Sequence, residues 1–206
     1  MNIALFGATG RVGGYFLQLA LADGHHIKAL VRNPNLFKTK HENVTLIKGN
    51  ALNREDVQKT VSGTDVVISA LNTDQSTVLS DSTPHLITSM IDANVTRIVT
   101  IGTAGILQAR TAPHLYRFQS SESKRKTTRA AEEHLKAYEL LEQSSLNWTV
   151  VCPTYLPDGD ITKKYRVEKN ILPKDGVKIS TGDTAHFAYQ QLFSSDFLQC
   201  RVGISY

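Results

Sequence analysis

The chain has 206 residues, of which 41% are hydrophobic and 20% charged. That length suits one domain with a sizeable core, and the composition excludes disorder as the main state. The formal net charge of +4 is too small for a dedicated nucleic-acid binder, and the two cysteines, Cys152 and Cys200, outline neither a zinc site nor a disulfide framework.

The opening run 1–7 lacks a basic n-region and is cut by Gly7, so it does not read as a signal peptide. No apolar run approaches the roughly 20 residues of a membrane span. These features predict a cytoplasmic protein with no membrane or nucleic-acid partner and no metal site, and leave its oligomeric state open.

Residues 3–6 read as a first strand. Val12, Tyr15, Phe16 and Leu19 then fall at helical spacing, with Gly24 as the stop. Residues 27–31 read as a second strand, broken by Asn33-Pro34, and residues 44–47 as a third. Asn53 suits the N-cap of a short helix over 54–60. Residues 66–68 read as a fourth strand. Pro84 is expected early in a helix ending near Ala93, and residues 97–101 form a fifth strand.

A polar stretch, 111–123, precedes the longest helix pattern, 124–143, with Ala131, Leu135, Tyr138 and Leu141 on one face. Its start carries Lys124, Arg125, Lys126 and Arg129, which suit either a solvated helix end or a contact with an anion. Residues 148–151 read as a sixth strand, 153–176 as a loop, and 177–179 as a short strand. Asp183 is expected to cap a last helix carrying Ala185, Ala188 and Leu192, and 202–205 reads as an edge strand.

Apolar strands without clean alternation, each followed by a helix, imply a parallel sheet covered on both faces. The predicted class is α/β, a Rossmann-type doubly wound parallel sheet. A single domain spans 1–206, with 153–206 contributing a small substrate lobe.

The run Gly7-Ala8-Thr9-Gly10-Arg11-Val12-Gly13-Gly14 directly follows the first strand and opens the first helix. In that position a glycine pattern signals dinucleotide binding. Gly7 permits the turn, Gly10 lets the backbone approach a pyrophosphate, and Gly13 lets the helix lie close to the sheet. Amide N–H groups and the positive helix end then face the phosphates, with Thr9 and Arg11 adding contacts.

An NAD-binding site usually carries Asp or Glu at the end of the second strand for the ribose 2′-OH. Here the sequence is Leu30-Val31-Arg32-Asn33. Arg32 can pair with a 2′-phosphate, so NADP(H) is expected over NAD(H).

GATGRVGG, ALVRNP, GNALN, VVISALNT, SSLNWTVVCP and ISTGD-TA occur in that order along the chain. Together they resemble the atypical short-chain dehydrogenase/reductase group of NAD(P)H-binding proteins, which includes NADH-flavin reductases, flavin/biliverdin-IXβ reductase and NmrA-like regulators. The resemblance implies that Asn50 and Ala51 contact adenine. It also implies that Ala70, Leu71 and Asn72 line the cofactor, that Gly102 and Thr103 lie by the nicotinamide ribose, and that Pro153, Thr154 and Tyr155 lie by the nicotinamide.

One departure matters. Short-chain dehydrogenases usually use a Tyr-x-x-x-Lys pair on a helix, and none occurs in the helix pattern 124–143. Aligning through SSLNWT puts Lys136 at the Lys place and Glu132 at the Tyr place. This argues against alcohol/ketone chemistry. It suits an NADPH-dependent reductase acting on a small-molecule acceptor, a flavin or similar planar molecule bound as substrate, with Thr103, Tyr155 and Lys136 as candidate catalytic residues. Tyr116 and Phe118 could belong to a lid. A non-catalytic NmrA-like redox sensor with a protein partner is the alternative, and a sugar-nucleotide epimerase or dehydratase a third reading.

Overall fold

The computed structural model describes residues 1–73 and 75–206. Its strands are β1 (Asn2–Phe6), β2 (His26–Val31), β3 (Val44–Lys48), β4 (Val66–Ser69), β5 (Arg97–Ile101), β6 (Asn147–Pro153), β7 (Arg166–Lys169) and β8 (Cys200–Ser205). Five helices join them: α1 (Arg11–Ala22), α2 (Arg54–Val61), α3 (Val78–Asp92), α4 (Arg129–Glu142) and α5 (Thr181–Gln190).

The strands form one sheet in the order β3-β2-β1-β4-β5-β6-β8-β7. All pairings are parallel except β7 with β8. The strand order reverses beside β1, because β2 pairs on one side of it and β4 on the other. The expected α/β class, a doubly wound Rossmann-type sheet, is what the chain adopts.

Period-two side-chain direction splits each strand between two cores. Ile3 and Leu5 of β1 pack with α1 and α5 through Phe16, Ala188 and Tyr189. Ala4 and Phe6 face the other way, with Val57, Leu86, Met90 and Leu141 from α2, α3 and α4. Strands buried on both faces explain the continuous apolar runs.

Local chemistry sets the helix ends. The Asn53 side chain accepts from the Asp56 N–H at 3.0 Å and caps α2. Ser180, not Asp183, caps α5, its Oγ accepting from the Asp183 N–H at 3.0 Å. Asp183 lies in the first turn instead. There it accepts from the Thr162 and Lys163 N–H groups at 2.8 and 2.7 Å, and from the Tyr206 hydroxyl at 2.8 Å. Those bonds hold segment 157–165 against α5.

Three expectations are corrected. Residues 177–179 form no strand, only an isolated bridge from Lys178 to Tyr155. The strand at 200–205 is interior rather than an edge, because β7, read as loop, pairs outside it. Helix α4 begins at Arg129, so the basic run 124–126 lies in an irregular approach to it.

Candidate functional site: a dinucleotide cleft and an adjoining acceptor cleft

The sharp turn after β1 carries the first functional group of atoms. Gly7 has φ +83, and a Cβ there would lie 2.4 Å from the Ala70 carbonyl oxygen. Only glycine meets both constraints. Gly10 donates to the Gly7 carbonyl at 2.9 Å, closing the turn. The same Gly7 oxygen faces Gly13, where a Cβ would lie 2.1 Å away.

Helix α1 therefore rests directly on the turn. Gly10 caps it without any side-chain bond, and the first helical N–H taken is that of Gly14, by Gly10 O at 2.8 Å. The preceding amides of residues 11–13 are orphaned by helix geometry. Bare amides, a helix N-terminus and room where side chains would stand are what a pyrophosphate requires, so these residues fit a dinucleotide.

A cleft of about 240 Å³ opens there. Gly7, Thr9 and Gly10 line one part of it, Arg32, Asn50 and Ala51 another, and Ala70, Leu71 and Asn72 a third. These nine residues, expected from the sequence, come from the carboxyl ends of β1, β2, β3 and β4. Ligands of open α/β sheets gather at such strand ends. Asn50 is fixed by its N–H to Asp56 at 2.9 Å, while its own Oδ1 accepts from the Leu52 N–H at 3.1 Å. The sequence reading missed Leu52, Ser76 and Val78, which also line this cleft. Leu52 is an exposed leucine beside the expected adenine position, a signal available only once α2 is placed.

A second cleft, of about 720 Å³, opens beyond β5 and β6. Thr103, Pro153, Thr154 and Tyr155 line it, as do Phe118, Arg117, Lys124, Arg125, Thr127, Ala131 and Val177. Thr103 Oγ1 accepts from the Gly105 N–H at 3.4 Å, which leaves its own O–H proton free to donate. The Thr154 hydroxyl donates to Val177 O at 3.0 Å and pins segment 175–177 beside β6. Tyr155 is 65% exposed and Val177 71%, large apolar surfaces turned toward solvent. Phe118 stacks on Tyr116 with ring centroids 6.2 Å apart, so of the expected lid pair only Phe118 lines the cleft. Tyr116 backs onto the Arg201 guanidinium at 5.3 Å.

Other expected residues lie elsewhere. The Val12 side chain is buried in the core against the sheet. Arg11 donates to the Leu156 carbonyl at 3.0 Å and to Asp158 at 3.1 Å, tying the helix start to the segment after β6. Gly102 lines a small inner cavity of about 20 Å³ with Ser69, Thr83, Thr100 and His134. Burial, and then the charge of Arg125, push His134 down to about 4, so its imidazole is neutral at physiological pH.

Lys136 is corrected. It is exposed and lines neither cleft. On α4 the inward side is marked by Ala131, Tyr138 and Leu141, and Lys136 projects away from them at 3.6 residues per turn. Of α4 itself the residue that reaches the acceptor cleft is Ala131, with Thr127 one turn before it in the approach to the helix. Neither supplies a phenol or an ammonium.

A model of an NAD(P)H-binding family matches residues 7–195. The chain belongs to the NAD(P)H-binding family. The resemblance seen in its motifs is borne out at that level. This family member is 26% identical to the Bacillus subtilis protein YwnB over 198 residues, 92% of this chain and 87% of that one. Among solved structures, it is 28% identical to a candidate epimerase from Bacteroides thetaiotaomicron, with a TM-score of 0.86, covering 100% of this chain and 96% of that one. It is 27% identical to a candidate exported protein from Burkholderia pseudomallei, with a TM-score of 0.85 and complete coverage of both chains. No helix among the described residues is long and apolar enough to cross a membrane.

Proposed function

We propose that this NAD(P)H-binding protein is an NADPH-dependent reductase of a flavin or a similar planar acceptor. The observation that carries the reading is the second cleft. It opens beside the cofactor cleft, at the end of the neighbouring strand, with exposed aromatic and aliphatic walls and no Tyr-x-x-x-Lys pair among its lining residues; the spacing Tyr165 to Lys169 runs into β7 and lines neither cleft.

Bound in the first cleft, NADPH supplies a C4–H bond whose hydrogen and electron pair pass to the acceptor, while solvent provides the one proton still needed. The chain's own groups do the rest by positioning. The amides at the start of α1 hold the pyrophosphate. Arg32 favours the 2′-phosphate, because no carboxylate follows β2 to receive a ribose 2′-OH. The Thr103 hydroxyl donates to the carboxamide of the nicotinamide or to an acceptor carbonyl. Pro153 and the Tyr155 ring give a flat apolar face against which the acceptor lies. Lys136 has no part in this arrangement. We assign the protein to the cytoplasm, where the pyridine nucleotide pool is available, with a small-molecule acceptor as its partner.

The test is anaerobic mixing of purified protein, NADPH and either riboflavin, FMN or a set of quinones. Loss of 340 nm absorbance well above the uncatalysed rate supports the reading. Background rates across all acceptors refute it.

A further inference from the structure

The proposed acceptor cleft has a charged side that the reading above leaves unused. Of its lining residues, Arg117, Lys124 and Arg125 are cationic and Asp175 is the one acid. The local balance is three minus one, or +2, half the formal excess of the whole chain. Arg117 is held by Glu122, with Nε 3.8 Å from Oε2 and Nη2 donating to the Glu122 carbonyl at 3.0 Å. Among the described residues, neither Lys124 nor Arg125 has an acidic side chain within 4.0 Å.

Arg125 is close enough to depress both Arg117 and His134, in each case after burial as the larger cause. Like charges gathered around a concave wall repel one another, and an anion between them relieves that repulsion. The same cleft exposes Tyr155 and Val177. An occupant that satisfies both sides has a flat apolar body and an anionic appendage. A phosphate monoester carries about −1.5 to −2 charge at neutral pH and three acceptor oxygens, which matches two guanidinium groups and one ammonium.

We propose that Arg117, Lys124 and Arg125 form a phosphate subsite, so that the acceptor is a planar molecule bearing a phosphate monoester. This rests on the acceptor cleft being the substrate site. The subsite is a specificity device: it selects among planar acceptors, while the apolar wall holds the part that is reduced. Lys124 and Arg125 of the basic run, which suits a solvated helix start in the sequence, acquire a ligand-facing role because the chain has not yet entered α4 there.

The experiment compares FMN with riboflavin, which differ by the phosphate alone. Each is titrated by flavin fluorescence against the protein saturated with NADP+, at low and high salt. Charge-assisted hydrogen bonds of the usual strength predict that FMN binds about 10-fold tighter or better. That preference should shrink as salt rises. The double variant K124Q/R125Q should bring the ratio to about twofold or less, whereas Lys59→Gln, which removes a charge on α2, should leave it as it was.

Equal affinity for the two flavins, binding of neither, or a ratio insensitive to both salt and K124Q/R125Q would overturn the subsite. The salt series uses the unaltered protein, so the outcome does not depend on a variant folding. A preference for FMN in binding, with no NADPH oxidation by either flavin, would sink the reductase reading and leave the subsite standing. Equal turnover and equal affinity would do the reverse.

Discussion

Replacing Gly13 with alanine tests the cofactor loop most directly. The new Cβ would lie 2.1 Å from the Gly7 carbonyl oxygen. Ordinary contact begins near 3.4 Å, so helix and turn must separate by 3.4 − 2.1 = 1.3 Å. Both atoms are held by backbone, and no flexible side chain can yield. Helix propensity alone favours alanine by about 0.5–1 kcal/mol. Overpacking costs about 1–3 kcal/mol, and it wins because nothing can rotate away. The net loss lowers the thermal midpoint by about 2–8 °C for a chain of this size.

Cofactor affinity should fall further, because the same displacement withdraws the amides of residues 11–13 from the pyrophosphate. Losing one charge-assisted hydrogen bond, about 1.5–3 kcal/mol, weakens NADPH binding about 10- to 100-fold. Gly14→Ala is the matched comparison. It is also helical, but its nearest neighbour is the Ala8 carbonyl oxygen at 4.0 Å, so alanine should stabilise by a few tenths of a kcal/mol up to about 1. Thermal denaturation and calorimetric titration with NADPH read both effects. Wild-type affinity and midpoint in Gly13→Ala, or equal damage from Gly14→Ala, would refute the packing argument.

Arg32→Asp should lower NADPH affinity about 10- to 100-fold and raise that for NADH, read as the ratio of kcat/KM values; an unchanged ratio would remove Arg32 from cofactor selection. Tyr155→Ala should raise the flavin KM several-fold while Tyr155→Phe stays close to wild type, since the ring and not the hydroxyl meets the acceptor. Lys136→Ala should change neither turnover nor stability by more than about 0.5 kcal/mol, as befits an exposed helix position. Asp183→Asn should cost about 1–3 kcal/mol at neutral pH, measured by urea denaturation. Burial opposes the Asp183 charge, but the bonds from Thr162, Lys163 and Tyr206 outweigh it and hold the carboxyl below its ordinary range. Its stabilisation is therefore complete above the unfolded value near 3.9 and lost as pH falls toward the folded one, so wild type and variant should converge in stability in strong acid.

The central sheet was readable because strands β1, β2, β4, β5 and β6 are buried on both faces, and burial leaves an unbroken apolar signature. Strand β7 was not, because an edge strand of sequence Arg-Val-Glu-Lys carries a single apolar residue and takes its conformation from β8. The start of α4 misled for a related reason: residues 124–128 have good helix formers but are drawn into the wall of the acceptor cleft. The glycine loop of the cofactor cleft was legible from sequence, since glycines at a strand–helix junction have few other uses, whereas Leu52, Ser76 and Val78 joined the lining only through the fold. The acceptor cleft was only half legible. Thr103 and residues 153–155 follow strand ends and can be named from sequence. Phe118 and Arg125 were visible only as a lid candidate and part of a basic run, and Arg117 and Val177 not at all, because the approach of these segments depends on tertiary folding. Lys136 failed as a candidate because an alignment without a helix phase cannot tell the inner side from the outer.

The cofactor cleft takes every lining residue from positions 6–78, and the acceptor cleft from positions 103–177, with none in common. A lineage can therefore rewrite the loop residues 117–127 and 175–177 while the pyrophosphate and adenine end of the donor keeps its own walls. The same partition makes those loop residues the natural target for redesigning this protein toward a new oxidant, with residues 6–78 carried through unaltered.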